Sequence, residues 1–346
     1  MILIRALYRD IAKYNEETAE EAQEETGWKL VHGDVFRPPS GTFGPMLLSV
    51  FVGSGIQILA MTGSLMVFAV LGFLSPANRG GLLTAMILLF VFMGSVAGYA
   101  SSRIFKMFKG KAWKRNTLLT ATAFPGTLFG IAFFMNLFVW GSGSTSAVPF
   151  TTMLALLVLW FGISTPLVFV GSYFGFKKEE VKAPVRVNQI PRQVPQQPWY
   201  LEPIPSIFVG GVLPFGAVFI ELFFIMSSIW LHQVYYVFGF LFLVLVILVV
   251  TCAEISVVMT YFQLCSEDYN WWWRSFLTPG SSAVYLFLYS ILYFFTKLEI
   301  DMFVPALMYF CYMAAAAWAF FLLTGSVGFL SSLWFVRKIY SSIKVD

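Results

Sequence analysis

Charged residues are scarce in this sequence, and so are histidine and cysteine. Only 12% of the 346 residues are Asp, Glu, Lys or Arg, against roughly a quarter in soluble domains. The two histidines are far apart and the three cysteines have no CxxC spacing, which argues against a metal centre or a disulfide framework. Walker A, Rossmann and GxSxG motifs are absent as well. We therefore expect no enzyme, no catalytic, cofactor-binding or metal site, and no nucleic-acid partner.

Long apolar runs dominate the chain instead. Hydrophobic residues make up 58% and aromatic residues 18% of the sequence, and the mean hydropathy is +0.77. A bilayer core about 30 Å thick takes roughly 20 helical residues. Eight apolar segments follow residue 45, at 46–74, 82–100, 117–139, 150–174, 206–230, 234–262, 282–296 and 304–336. The sequence thus predicts an all-α fold, a polytopic membrane helical bundle of about eight transmembrane helices in a lipid bilayer.

The basic residues give an independent test of this topology. If the N-terminus is cytosolic, every one of the 22 Lys and Arg residues except Arg79 and Lys297 lies in a cytosolic piece. Cytosolic loops of membrane proteins carry such an excess of positive charge. The distribution supports eight spans and predicts that both termini are cytosolic.

The polar segments divide the chain into five parts. The first part, 1–45, is expected to hold a cytosolic acidic helix (8–26) and then a non-helical segment (27–45), which we call the lead-in. It is followed by four spans over 46–174, a Pro-rich cytosolic loop over 175–205, four further spans over 206–336, and a cytosolic tail over 337–346. Six prolines between positions 184 and 205 exclude a helix and favour extended backbone. The loop is therefore either a semi-rigid strap or a plain linker.

Four polar side chains are expected at membrane depth. They are Gln57, Asn136, Glu221 and Glu254. Carboxylates inside hydrocarbon are costly, so both glutamates are expected to be buried against protein or water and to have a functional role. Two interpretations remain: hydrogen bonding between helices, or a path for protons or a solute.

Small residues recur at GxxxG spacing, which lets helix backbones approach closely in lipid. The pairs are Gly94 with Gly98, Gly126 with Gly130, and Gly171 with Gly175. Packing within the bundle and a groove for a partner helix both fit this pattern.

Several stretches together resemble the nonaspanins, the transmembrane-9 superfamily of endomembrane proteins. They are GWKLVHGDVFRPP (27–39), FLSPANRG (73–80), VRVNQIPRQVP (185–195), LPFGAVFIELFFI (213–225), EDYNWWWRSF (267–276) and VRKIYSSIKVD (336–346). Family members also carry a signal peptide, a large lumenal domain and a first span, so the resemblance implies that this chain corresponds to the C-terminal membrane domain.

The resemblance implies residence in Golgi and endosomal membranes and a part in sorting other membrane proteins, some with glycine-rich transmembrane helices. It also implies that coat proteins bind the terminal KxD, here Lys344 and Asp346. We thus expect a sorting factor that binds client transmembrane helices. The alternative is a secondary transporter or channel that uses buried Glu221 and Glu254.

Overall fold

The computed structural model describes residues 2–16, 27–41, 44–72, 79–143, 147–230, 234–298, 300 and 302–343; within these, the side chains of 2–4, 13–16, 79–80, 221–230 and 234–238 lie outside the description. Twelve α-helices account for most of the described residues. They are α1 (Ile2–Glu16), α2 (Gly44–Val70), α3 (Arg79–Phe92), α4 (Gly94–Met107), α5 (Trp113–Gly141), α6 (Phe150–Leu159), α7 (Thr165–Lys177), α8 (Pro203–Trp230), α9 (Val234–Cys265), α10 (Trp271–Gly280), α11 (Ser282–Lys297) and α12 (Phe303–Tyr340).

Within the described residues, eight helical segments are long and apolar enough to cross a membrane. Three of them are α2, α5 and α12, and two more lie within α8 and α9. The others pair α3 with α4, α6 with α7, and α10 with α11. This result confirms the predicted all-α bundle and its number of spans.

The seventh span is longer than its apolar run predicts. We expected residues 282–296, but the helical segment begins at Trp271 and ends at Lys297. Arg274 interrupts the hydropathy of this region, yet it lies beside Asp268, with 2.9 Å between Nη1 and Oδ2. Pairing makes the arginine compatible with a buried helix, which a hydropathy profile cannot register.

Helix irregularities are compensated by neighbouring side chains. Pro125 lies inside α5, and a proline cannot donate to the carbonyl four residues earlier, here that of Ala121. The indole Nε1 of Trp160 donates to this carbonyl at 2.9 Å. Trp160 begins a π-helical turn over Trp160–Ser164 between α6 and α7. The proline site of α5 and the π-helical turn are thus joined by this hydrogen bond.

The lead-in and the last turn of α12 lie at the same end of the bundle, where Tyr340 is hydrogen-bonded to Trp28, and we call this end the terminal face. It comprises residues 27–41, 108–112, 178–202 and 266–270 and the last turn of α12. The predicted acidic helix begins earlier than expected, at Ile2, and residues 17–26 lie outside the described part. The lead-in forms a short 3-10 helix (Gly27–Lys29) and turns, in agreement with its glycines and prolines. The assignment of this face to the cytosol stays a prediction.

Candidate functional site

The lead-in is packed into the terminal face. Val35 is fully buried, and Trp28 is only 3% exposed. Tyr340 of α12 donates its hydroxyl to the carbonyl of Trp28 at 2.6 Å. On α10, Trp271 and Trp272 donate their indole N–H groups to the carbonyls of Val35 and Arg37 at 2.9 and 2.7 Å. The lead-in, α10 and α12 are therefore joined through buried hydrogen bonds, which are costly to break.

The loop between α7 and α8 is also fastened to this face. Asp34 in the lead-in is 2% exposed and forms an ion pair with Arg37 at 2.7 Å. Arg37 also donates to the carbonyl of Asn188 at 2.8 Å, and the Asn188 N–H donates to the carbonyl of Gly33 at 2.8 Å. The loop, which we call the strap (residues 178–202), is therefore held at its middle.

Further contacts hold the strap at both ends. Near its start, Lys106 donates to the carbonyl of Lys178 at 2.6 Å, and Arg103 donates to that of Glu179. Near its end, Arg274 donates to the carbonyl of Leu201 at 2.8 Å. With no helix between residues 178 and 198, this part of the chain is an extended strap rather than a plain linker.

Arg274 is the centre of a buried polar cluster. Besides Asp268 and Leu201, its guanidinium contacts Ser206 Oγ at 2.6 Å. Asp268 also accepts from Gln263 Nε2 at 2.9 Å and from the Asn270 N–H at 3.0 Å. Each oxygen of Asp268 thus has a donor, as a buried carboxylate requires. The cluster connects the strap to α8, α9 and α10.

Two of the glycine pairs meet in one helix contact. An added Cβ at Gly98 on α4 would overlap the carbonyl oxygen of Val168 on α7, and one at Gly171 would overlap the carbonyl oxygen of Ser95. Gly94 and Gly175 also lie against the opposite helix. This is the backbone approach that small residues permit in membranes.

The third pair behaves differently. A Cβ at Gly126 would lie 3.4 Å from the ring of Trp160, an ordinary contact, and a Cβ at Gly130 would meet nothing within 4 Å. Gly130 instead lines a groove of ≈ 630 Å³ on the outer surface of the bundle. Of the two interpretations of the glycine spacing, close packing within the bundle does not apply at Gly130, and a groove for a partner helix stays open.

This lateral groove lies between α5, α11 and α12. Its lining residues are Thr127, Gly130, Ile131, Phe134, Phe287, Phe310, Cys311 and Ala314. Thr127 donates its hydroxyl to the Phe124 carbonyl of its own helix at 2.8 Å, so it offers little polarity to the groove. Phe134 is 49% exposed. The groove presents an apolar surface that includes the small residues Gly130 and Ala314, and it suits an apolar chain or helix.

Gln57 and Asn136 each hold a local backbone segment. Gln57, 2% exposed, donates to the carbonyl of Phe90 at 2.8 Å, in the last turn of α3 where carbonyls lack intrahelical donors. Asn136 exchanges two hydrogen bonds with the backbone of Val148, at 2.8 and 3.2 Å. In the described part of the chain, no hydrogen bond or ion pair joins Gln57, Asn136 and Glu254.

We expected Glu254 to be buried against protein or water, and it is not buried against protein. It is exposed on α9, whose buried residues include Leu248, Cys252 and Ser256. These three share one helix face at intervals of four residues, whereas Glu254, two residues from Cys252, lies on the opposite face. No described contact therefore favours the transporter alternative. The side chain of Glu221 and the residues Lys344 and Asp346 lie outside the described residues.

Sequence reasoning missed the groove residues other than Gly130, and it also missed other close helix contacts. Gly55 of α2 approaches α12 so closely that an added Cβ would overlap the carbonyl of Leu322. Gly55 has no glycine four residues away, so a search for GxxxG does not find it. For the groove, the run of four alanines beginning at Ala314 was an available signal.

Comparisons with known proteins agree with the fold. The family model "Endomembrane protein 70" matches residues 1–303. The chain is 65% identical to Transmembrane 9 superfamily member 9 of Arabidopsis thaliana over 347 aligned positions, covering 100% of this chain and 53% of the relative. It is 56% identical to human Transmembrane 9 superfamily member 2, with 100% and 52% covered. No solved structure matches the chain.

Eight spans, an all-helical core and a packed terminal face define a polytopic helical membrane protein. The matches then identify its family. The chain belongs to the transmembrane 9 superfamily of endomembrane proteins, and it spans about half the length of the curated relatives it matches. The resemblance predicted from the sequence is thereby confirmed.

Proposed function

We propose that this chain binds transmembrane helices of other membrane proteins in the lateral groove and so takes part in their sorting in Golgi and endosomal membranes. The groove between α5, α11 and α12 is the observation that carries the proposal. Helix association in lipid depends on close packing, and small residues permit it. Gly130 and Ala314 provide such positions on two of the three helices.

A native cysteine makes the proposal directly testable. Cys311 lines the groove, whereas Cys252 is fully buried and far less accessible. We expect a reporter protein with one glycine-rich transmembrane helix and a single mid-helix cysteine to form a disulfide or bis-maleimide crosslink with Cys311. Cys311→Ser is the matched control and should abolish the crosslinked band. Equal crosslinking in this variant would place the reporter elsewhere.

Filling the groove tests whether it is needed. In the double variant Gly130→Leu with Ala314→Leu, the added side chains occupy the groove, so reporter crosslinking and correct reporter location should both fall. Gly216→Leu on α8 is the control, because a Cβ there also meets nothing within 4 Å but lies outside the groove. If the double variant sorts the reporter normally, the groove is not the binding site.

Retrieval by coat proteins is the second part of the proposal. An even number of spans brings the tail to the terminal face, and the charge distribution predicts that this face is cytosolic. Lys344→Ala or Asp346→Ala in the full-length protein should shift its steady-state location away from the Golgi in fluorescence images. Lys338→Ala removes a nearby exposed charge and should not. An unchanged location in both tail variants would exclude this route.

A further inference from the structure

The strap does not line the lateral groove, and its central residues are exposed. Of residues 190–198, all but Gln197 are exposed. Ile190 is 82% exposed, although its side chain is fully apolar. An apolar side chain held this far into solvent is surface that a partner can cover.

The sequence fixes much of the backbone here in one conformation. Pro191, Pro195 and Pro198 each set φ near −65°, and the residue before each proline is biased toward extended backbone. Three prolines and three preceding residues together cover two thirds of the segment. Pro198 has φ −62° and ψ 151°, the values of a polyproline II helix.

Contacts with the loop after α9 hold this segment in place. Arg192 forms an ion pair with Glu267 at 3.2 Å, and its carbonyl accepts from Tyr269 Oη at 3.1 Å. Gln197 donates to the carbonyl of Ser266 at 2.9 Å. The segment is thus ordered before any partner binds, so binding costs less conformational entropy.

These attachments leave most side chains of the segment facing outward, including Pro195 and Pro198. A polyproline II helix has three residues per turn, so residues 190, 193 and 196 share an edge. The two side chains that hold the segment, Arg192 and Gln197, lie on the other two edges. The third edge therefore carries Ile190, Gln193 and Gln196, whereas Pro195 and Pro198 share the edge of Arg192 and are exposed as well.

We propose that residues 190–198 are a docking segment for a water-soluble protein domain that recognises polyproline II helices through an aromatic-lined groove. Pro195 and Pro198 have the PxxP spacing that such grooves accept. A membrane surface is the less suitable occupant, because the segment's single charge, Arg192, is already paired with Glu267. Without free positive charge, the segment has little attraction for anionic lipid.

Binding of purified domains to the full chain in nanodiscs tests the proposal. SH3, WW and EVH1 domains are the probes, applied one at a time in biolayer interferometry. We expect at least one class to bind, and Pro195→Ala with Pro198→Ala to weaken it by about tenfold or more, since each change removes two ring methylenes. Pro184→Ala, in the same strap but outside the segment, should bind like the unmodified chain.

Two outcomes would overturn the proposal. One is a failure of the binding assay to show the expected dependence on the prolines: either none of the three domain classes binds, or the Pro195→Ala, Pro198→Ala variant binds as well as the unmodified chain. The other concerns the membrane: an environment-sensitive dye on Ile190→Cys should report water in nanodiscs. Quenching of that dye by spin-labelled lipid would show that the bilayer covers the segment instead.

Discussion

Two glycine-to-alanine changes should have opposite effects on stability, one in the close contact between α4 and α7 and the other in the lateral groove. Gly98→Ala would place a Cβ against the backbone of α7, 2.9 Å from the carbonyl carbon of Val168 and 3.0 Å from the amide nitrogen of Ser172. Backbone atoms cannot rotate away, so the helices must separate. Gly130→Ala adds the same methyl group where nothing lies within 4 Å.

The expected magnitudes follow from two opposing effects. Alanine is favoured over glycine inside a helix by about 1 kcal/mol. Overpacking a well-packed contact costs about 1–3 kcal/mol, and the upper part of that range applies where neighbouring positions, here Gly171 and Gly175, lose contact as well. Gly98→Ala should therefore destabilise the protein by about 2 kcal/mol, whereas Gly130→Ala should stabilise it by up to about 1 kcal/mol.

Tryptophan fluorescence during a thermal scan in detergent measures this difference. The scan rate must be identical for all variants, because unfolding of large proteins is often irreversible and the apparent Tm is then rate-dependent. We expect a lower Tm for Gly98→Ala and an equal or higher Tm for Gly130→Ala. If Gly98→Ala is as stable as the unmodified chain, the helices are not in backbone contact there.

Two further changes test the terminal face in the same assay. Tyr340→Phe leaves the buried carbonyl of Trp28 without its donor and should cost about 1–3 kcal/mol, whereas Tyr312→Phe, at a side chain 57% exposed, should have almost no effect. Arg274→Gln removes the cation beside buried Asp268, which keeps only its hydrogen bonds from Gln263 and Asn270, at a cost of about 3–5 kcal/mol. Arg192→Gln, at an ion pair whose arginine is 41% exposed, should cost under about 1 kcal/mol. Equal losses of stability from Arg274→Gln and Arg192→Gln would contradict the reasoning from the different burial of the two ion pairs.

The spans were predictable because a membrane imposes a minimum apolar length on each crossing. That constraint acts on the composition of a segment, and it located all eight spans before any contact was known. It does not determine which face of a helix is buried. Glu254 shows the consequence, since its depth in α9 could be predicted but its exposed orientation could not.

Contacts between distant parts of the chain were beyond sequence reasoning for a different reason. Trp271 and Val35 are joined by a hydrogen bond although 236 positions separate them, and no local pattern specifies such a pair. Identical spacing also led to different surroundings: Gly98 faces a helix backbone and Gly130 faces a groove. GxxxG spacing shows only that another backbone can approach the helix closely. The packing of the other helices determines whether one does.

The distribution of packing explains why a groove can persist in this bundle. Every buried residue of α12 lies at or after Leu322, toward the terminal face, whereas the groove residues Phe310, Cys311 and Ala314 lie in the preceding half. The hydrophobic effect does not close gaps between helices in lipid, so the less packed half has no strong tendency to collapse. The hydrogen bonds of Trp271 and Tyr340 hold the other half together. A helix could therefore enter the groove without disturbing the contacts that stabilise the fold.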